Sequence, residues 1–129
     1  MPGPEPTQLS GLQLVLLRAL WQGGELSVSE VHAAVSAERD LAPTTVGTLL
    51  KRLERRGVVS HRTKGRQFLY SATVTEEEAQ RTMLREVHER LFSGDLPEMV
   101  NQLLRSRDFQ PGDLERVRRM LDELDSDCD

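Results

Sequence analysis

Leu9, Leu12, Leu14, Val15, Leu16, Leu17, Ala19, Leu20 and Trp21 crowd the first segment of the chain too densely for a one-faced surface helix. A first helix packed on most sides is predicted, stopped by Gly23-Gly24. Ser27-Val28-Ser29-Glu30 then has the spacing of a capping box and starts a second, short helix with Val28, Val31, Ala34 and Val35 on its inner face. Leu41-Ala42-Pro43 opens a third helix, since proline is tolerated where its missing N–H would be unpaired anyway, and Gly57 closes it. Two β-compatible stretches follow, residues 58–63 and 66–71, separated by Lys64-Gly65, which supplies a glycine for a tight hairpin turn.

From Thr75 the pattern is helical again, beginning with a second capping-box sequence, Thr75-Glu76-Glu77-Glu78. Three apolar stripes follow: Met83, Leu84, Val87 and Leu91; Leu96, Met99, Val100, Leu103 and Leu104; and Leu114, Val117, Met120, Leu121 and Leu124. Short amphipathic helices with no sheet of their own bury such stripes poorly, so they are expected to pack on a second copy of the chain. Leu84, Val87, Leu91, Leu96, Met99, Val100, Leu103, Leu104, Leu114, Val117, Leu121 and Leu124 are the candidate dimer interface. The fold class predicted is mainly α with a small β-hairpin: a winged helix-turn-helix over residues 9–73 and a helical dimerisation tail over 74–125. Residues 1–8 read as a disordered Pro-rich arm and 126–129 as a disordered acidic end.

The third helix divides cleanly by face. At about 100° per residue, Val46, Leu49, Leu50 and Leu53 share one side, and Thr44, Thr48, Lys51 and Arg55 the other, with Thr45 and Arg52 on a flank. Threonine can hydrogen-bond a base edge or touch a thymine methyl, whereas Lys and Arg neutralise phosphate or read guanine. Gly47 costs roughly 1 kcal/mol against alanine in a helix interior, and a close approach of a DNA strand would account for it. Arg62, Lys64 and Arg66 ring the hairpin tip, where a wing lies on phosphate or against the minor groove.

Charge changes the picture because it is segregated. The formal net charge of −4 is made of −2 over residues 1–39, +5 over 40–70 and −7 over 71–129. A basic middle with an acidic tail suits one segment facing a polyanion. The rival reading, a winged helix used as a protein-protein interaction module, has no need of six cations on one helix face and wing. A regulator with a small-molecule effector in its dimer core finds no aromatic-lined pocket in the pattern.

These motifs resemble the penicillinase-repressor, or BlaI/MecI, family of winged-helix regulators. The resemblance is carried by residues 16–21, Val28-Ser29-Glu30-Val31-His32, residues 44–57 and Gly65-Arg66-Gln67-Phe68-Leu69-Tyr70, and continues through Glu76-Glu77-Glu78-Ala79. It implies a homodimeric repressor that binds a palindromic double-stranded operator, dimerising through its tail. In the β-lactam-responsive branch a membrane sensor-protease signals cleavage in the tail; the comparable bond here is Gln102–Leu103, where that branch has Asn-Phe. A copper-responsive branch uses several C-terminal cysteines, and this chain has Cys128 alone.

The sequence offers no nucleophile-and-base set, phosphate loop or buried carboxylate pair, so no enzymatic activity, cofactor or metal is expected. His32, His61 and His88 are scattered over different elements. The start lacks a basic and apolar leader, and no apolar run approaches the roughly 20 residues of a membrane span. With one cysteine, the expectation is a cytoplasmic protein with no membrane binding of its own.

Overall fold

A computed structural model describes residues 9–127 of the chain. The arm expected over residues 1–8 and Cys128 lie outside them. The order is α1 (Gly11–Gly23), β1 (Leu26–Ser27), α2 (Val28–Val35), α3 (Pro43–Arg55), β2 (Val59–Lys64), β3 (Gln67–Ala72), α4 (Glu76–Glu86), a π-helical turn (Val87–Leu91), α5 (Leu96–Ser106) and α6 (Asp113–Asp127). α6 runs into the stretch expected to be a disordered end. Among the described residues no helix is long and apolar enough to cross a membrane.

Local chemistry starts most of these helices. Ser10 and Gln13 form a complete capping box on α1, and Ser27 and Glu30 form another on α2. At α4 only half of the expected box is made: the Thr75 hydroxyl accepts from the Glu78 amide. α3 has Pro43 in its first turn and no side-chain cap on Ala42, which leaves its first amides without a protein side chain.

The sheet holds three strands in the order β1-β3-β2, both pairs antiparallel. β1, which the residue pattern does not predict, consists of two residues paired to Tyr70 and Leu69 on β3. The hairpin turn also sits one residue later than expected. Lys64 pairs with Gln67, so Gly65-Arg66 forms the two-residue loop. Gly65 has φ +63° and Arg66 is not in the left-handed region, the pattern of a type II′ turn with glycine first.

The described residues fall into two compact units, one ending at Val87 and the other starting at His88. The first has an aliphatic core of Val15, Leu16, Leu17 and Leu20 from α1, Val31 and Val35 from α2, and Val46, Leu49, Leu50 and Leu53 from α3. Val58, Val59 and Tyr70 close it from the wing. Ala34, expected on the inner face of α2, is exposed. α4 belongs to this unit as well, with Ala79 buried and Met83 packed on the core, although residue 74 was the expected start of the tail.

In the second unit α5 and α6 bury almost none of their apolar side chains: Leu103 is 61% and Leu124 60% exposed. An apolar groove runs between these helices, lined by Val100, Leu104, Phe109, Leu114, Val117 and Met120.

Candidate nucleic-acid interface

The helix-turn-helix is fixed from inside. Val46, Leu49, Leu50 and Leu53 occupy the i, i+3, i+4, i+7 row of α3, and each is buried against the core. Full burial of such a side chain stabilises by about 1.5–3 kcal/mol relative to exposure, so the rotation of α3 about its axis is set by this row. The His32 Nε2–H donates to the Leu41 carbonyl at 2.8 Å, tying α2 to the segment that leads into α3.

That rotation decides what faces outward. Thr44, Thr45, Thr48, Lys51, Arg52 and Arg55 are all exposed. Threonines stand toward the N-terminal half and cations toward the C-terminal half, as the helical period requires. The Thr48 hydroxyl donates to the Thr44 carbonyl at 3.0 Å, which settles its rotamer and leaves its oxygen able to accept a further hydrogen bond. A Cβ at Gly47 would meet Val28 Cγ1 at 3.9 Å, an ordinary contact, so the glycine is not demanded by packing inside the protein.

Glu54 is the acidic member of the recognition-helix surface. Its carboxylate accepts from His61 Nδ1 at 2.7 and 2.8 Å, which links α3 to β2. His61 in turn stacks on Phe68, ring centroids 4.4 Å apart, and lies against Tyr70. The Glu54 carboxylate is thereby engaged with the wing.

The wing brings Lys64 and Arg66 to the hairpin tip, both exposed. Among the described residues no acidic side chain forms an ion pair with Lys51, Arg52, Arg55, Lys64 or Arg66. Arg62 differs from the other cations. Its guanidinium binds Glu25 through two hydrogen bonds, Nε to Oε2 at 2.6 Å and Nη2 to Oε1 at 2.8 Å. This pair raises the Arg62 pKa further, and the Arg62 hydrogen bond holds the Glu25 carboxyl below its ordinary range, with a smaller push from the Lys64 charge. Arg62 has the sequence context of a DNA contact, and nothing in the order of residues signals its pairing with Glu25, 37 positions away.

The residues expected to form the dimer interface lie on two sets of elements. Leu84 and Val87 are exposed on α4 and the π turn, and Leu91 is exposed at the end of that turn. Leu96, Val100, Leu103 and Leu104 are exposed on α5, and Leu114, Val117, Leu121 and Leu124 on α6, while Met99 is half-buried. Gln102 and Leu103 are inside α5, where the Gln102 side chain donates to Glu98.

Three helices, a two-residue β1 and a basic hairpin define a winged helix-turn-helix whose third helix presents a cationic face that forms no ion pair among the described residues. The model of the penicillinase repressor family matches residues 9–123, and the chain belongs to that family. The penicillinase repressor of Bacillus licheniformis is 24% identical over 90% of this chain and 91% of its own length. The methicillin resistance regulatory protein MecI of Mammaliicoccus sciuri is 19% identical, over 90% of this chain and 94% of its own.

Among solved structures, the DNA-binding domain of the repressor BlaI matches at TM-score 0.52 and 27% identity, covering 58% of this chain and 92% of that one. The B. licheniformis BlaI monomeric form in complex with the blaP half-operator matches at TM-score 0.50 and the same identity, covering 58% of this chain and 92% of that one. A MarR mutant from E. coli shares the fold at TM-score 0.52 and 13% identity, covering 91% of this chain and 78% of that one.

Proposed function

We propose that the chain is a dimeric, sequence-specific transcriptional repressor that sets α3 in the major groove of a palindromic operator and rests its wing on the DNA backbone. The observation that carries this reading is the cationic face of α3, unpaired among the described residues, with Lys51, Arg52 and Arg55 exposed beside Thr44, Thr45 and Thr48. Cations without acidic partners are ready to displace the counterions of a phosphate backbone, and the threonines beside them reach base edges. The uncapped first turn of α3 adds free amides that favour phosphate. Support comes also from the likeness to BlaI, whose half-operator complex shares this fold.

In this reading Thr45, Thr48 and Arg52 contribute to base recognition, and Lys51, Arg55, Lys64 and Arg66 mainly hold phosphate. The exposed leucines and valines of α5 and α6 form the seam with a second copy, since an apolar surface of this extent marks an interface. Release from the operator by a membrane sensor-protease or another protease acting at Gln102–Leu103 is the switch this reading carries. The scissile bond sits within a helix, so α5 has to unwind before it enters a protease.

Footprinting upstream of the protein's own gene tests the proposal. Two protected half-sites related by a dyad, with centres one or more helical turns apart, are expected of a dimeric helix-turn-helix protein. A uniform ladder with no protected segment at saturating protein contradicts it.

A further inference from the structure

We infer that Glu25 is a positioning residue for the wing: it holds Arg62 against the sheet, withdraws that cation from the DNA-binding set, and braces β2 from the side opposite α3. The inference rests on the DNA-binding reading and goes beyond it, because it removes one cation from the interface and adds an acidic residue to the machinery.

The register supplies the geometry. Arg62 and Ser27 each pair with Leu69, one on either side of the central strand β3. An ion pair between Arg62 and Glu25 therefore spans the sheet, from edge strand β2 to the turn that leads into the other edge strand β1. Leu69, between them, is buried.

The next residue along β2 is held from the other face. Side chains alternate along a strand, so His61 and Arg62 point to opposite sides. His61 donates to Glu54 of α3, and Arg62 donates to Glu25 just beyond the end of α1. Two carboxylates, one on α3 and one in the α1–β1 turn, thus grip consecutive residues midway along β2. Through them the hairpin is joined to the recognition helix on one side and to the α1–β1 turn on the other.

The pair is bidentate, the geometry in which an exposed Arg–carboxylate contact is worth counting. Two of the five guanidinium N–H donors are committed to Glu25, whose carboxylate also offsets the Arg62 charge that would draw a phosphate. Lys64 and Arg66, beyond the clamp toward the tip, form no such pair among the described residues. They are left as the two wing charges that meet the DNA backbone.

The test compares salt dependence. Removing one phosphate-binding cation lowers the slope of log Kobs against log salt by about 0.9. Arg62→Met is expected to weaken operator binding by up to about fivefold, the scale of an exposed ion pair, with the slope unchanged. Arg66→Ala is expected to lower the slope. The charge-swapped chain, Glu25→Arg with Arg62→Glu, restores the affinity and keeps the native slope, because the clamp is rebuilt in reverse.

A slope that falls for Arg62→Met as it does for Arg66→Ala, or a swapped chain still repelled by DNA, overturns the inference. The free protein gives a second readout. The Arg62 Nε–H resonance is expected to be protected from solvent exchange in the native chain and to lose that protection in Glu25→Gln. Equal exchange in the two overturns the clamp whether or not the chain binds DNA, whereas a native chain that clamps Arg62 and binds no DNA refutes the DNA-binding reading instead.

Discussion

Trp21 Nε1–H donates to the Val74 carbonyl at 2.9 Å, joining the last turn of α1 to the segment that leaves the wing. The hydrogen bond closes the first unit around its core: the helix that begins the fold is fastened to the chain just after β3. Trp21→Phe keeps a ring for packing and removes the donor. A loss of about 1 kcal/mol is expected by urea unfolding, with the Val74 carbonyl left unpaired by protein.

Tyr70 is the single tyrosine of the chain and is 2% exposed, so absorbance at alkaline pH reports this phenol alone. Burial raises its pKa, and the Glu54 charge adds to the rise. For an acid whose folded pKa is raised, the neutral form is what the fold favours. Its contribution to stability is therefore complete below the ordinary phenol pKa and is lost as pH climbs from there through the higher folded value. The titration midpoint is expected above that of a free phenol in the native protein and to return to it in urea. An unshifted native midpoint contradicts the burial of this side chain.

Gly47→Ala separates two reasons for a glycine on α3. The distance to Val28 leaves room for a methyl, and alanine is the better helix former, so stability is expected to rise by about 1 kcal/mol. Operator affinity is expected to fall, since the DNA-binding reading brings a strand close to this turn of the helix. A stabilised variant with unchanged affinity would mean that no strand comes close to this turn of the helix.

Thr48→Ala is expected to alter base preference, by about 1 kcal/mol at one position of each half-site, while Arg66→Ala weakens all sequences alike and flattens the salt slope. Titrations on an operator with single-base variants check both. A Thr48 variant that loses affinity equally on every sequence would move this residue to the phosphate contacts.

Leu103→Asp combined with Leu121→Asp puts charges on the exposed apolar faces of α5 and α6. A monomer is expected by sedimentation equilibrium, with the circular dichroism of the winged helix retained. A dimer of unchanged stability would contradict the tail as the seam.

The parts of the fold that the sequence disclosed are those whose pattern is local. α3 was readable because its buried row and its outer row follow one helical period, and α2 because Ser27 and Glu30 are three residues apart and cap reciprocally. What stayed hidden depends on contacts far apart in the chain. β1 is a strand only because Tyr70 and Leu69 pair with it, and two residues carry no alternation of their own. α4 has the composition of the tail, yet Ala79 is buried and Met83 finds the core of the first unit. Arg62 has the sequence context of a wing contact, and only folding brings Glu25 to its guanidinium.

The most direct test is a titration of DNA from upstream of the protein's own gene against random DNA, at matched salt near physiological ionic strength. Binding on the order of 10³-fold or more tighter to a site in that fragment is expected of a sequence-reading repressor. Equal affinity for the two, followed by no enrichment in a random-sequence selection, would contradict the repressor reading and leave the winged helix as a scaffold for protein contacts.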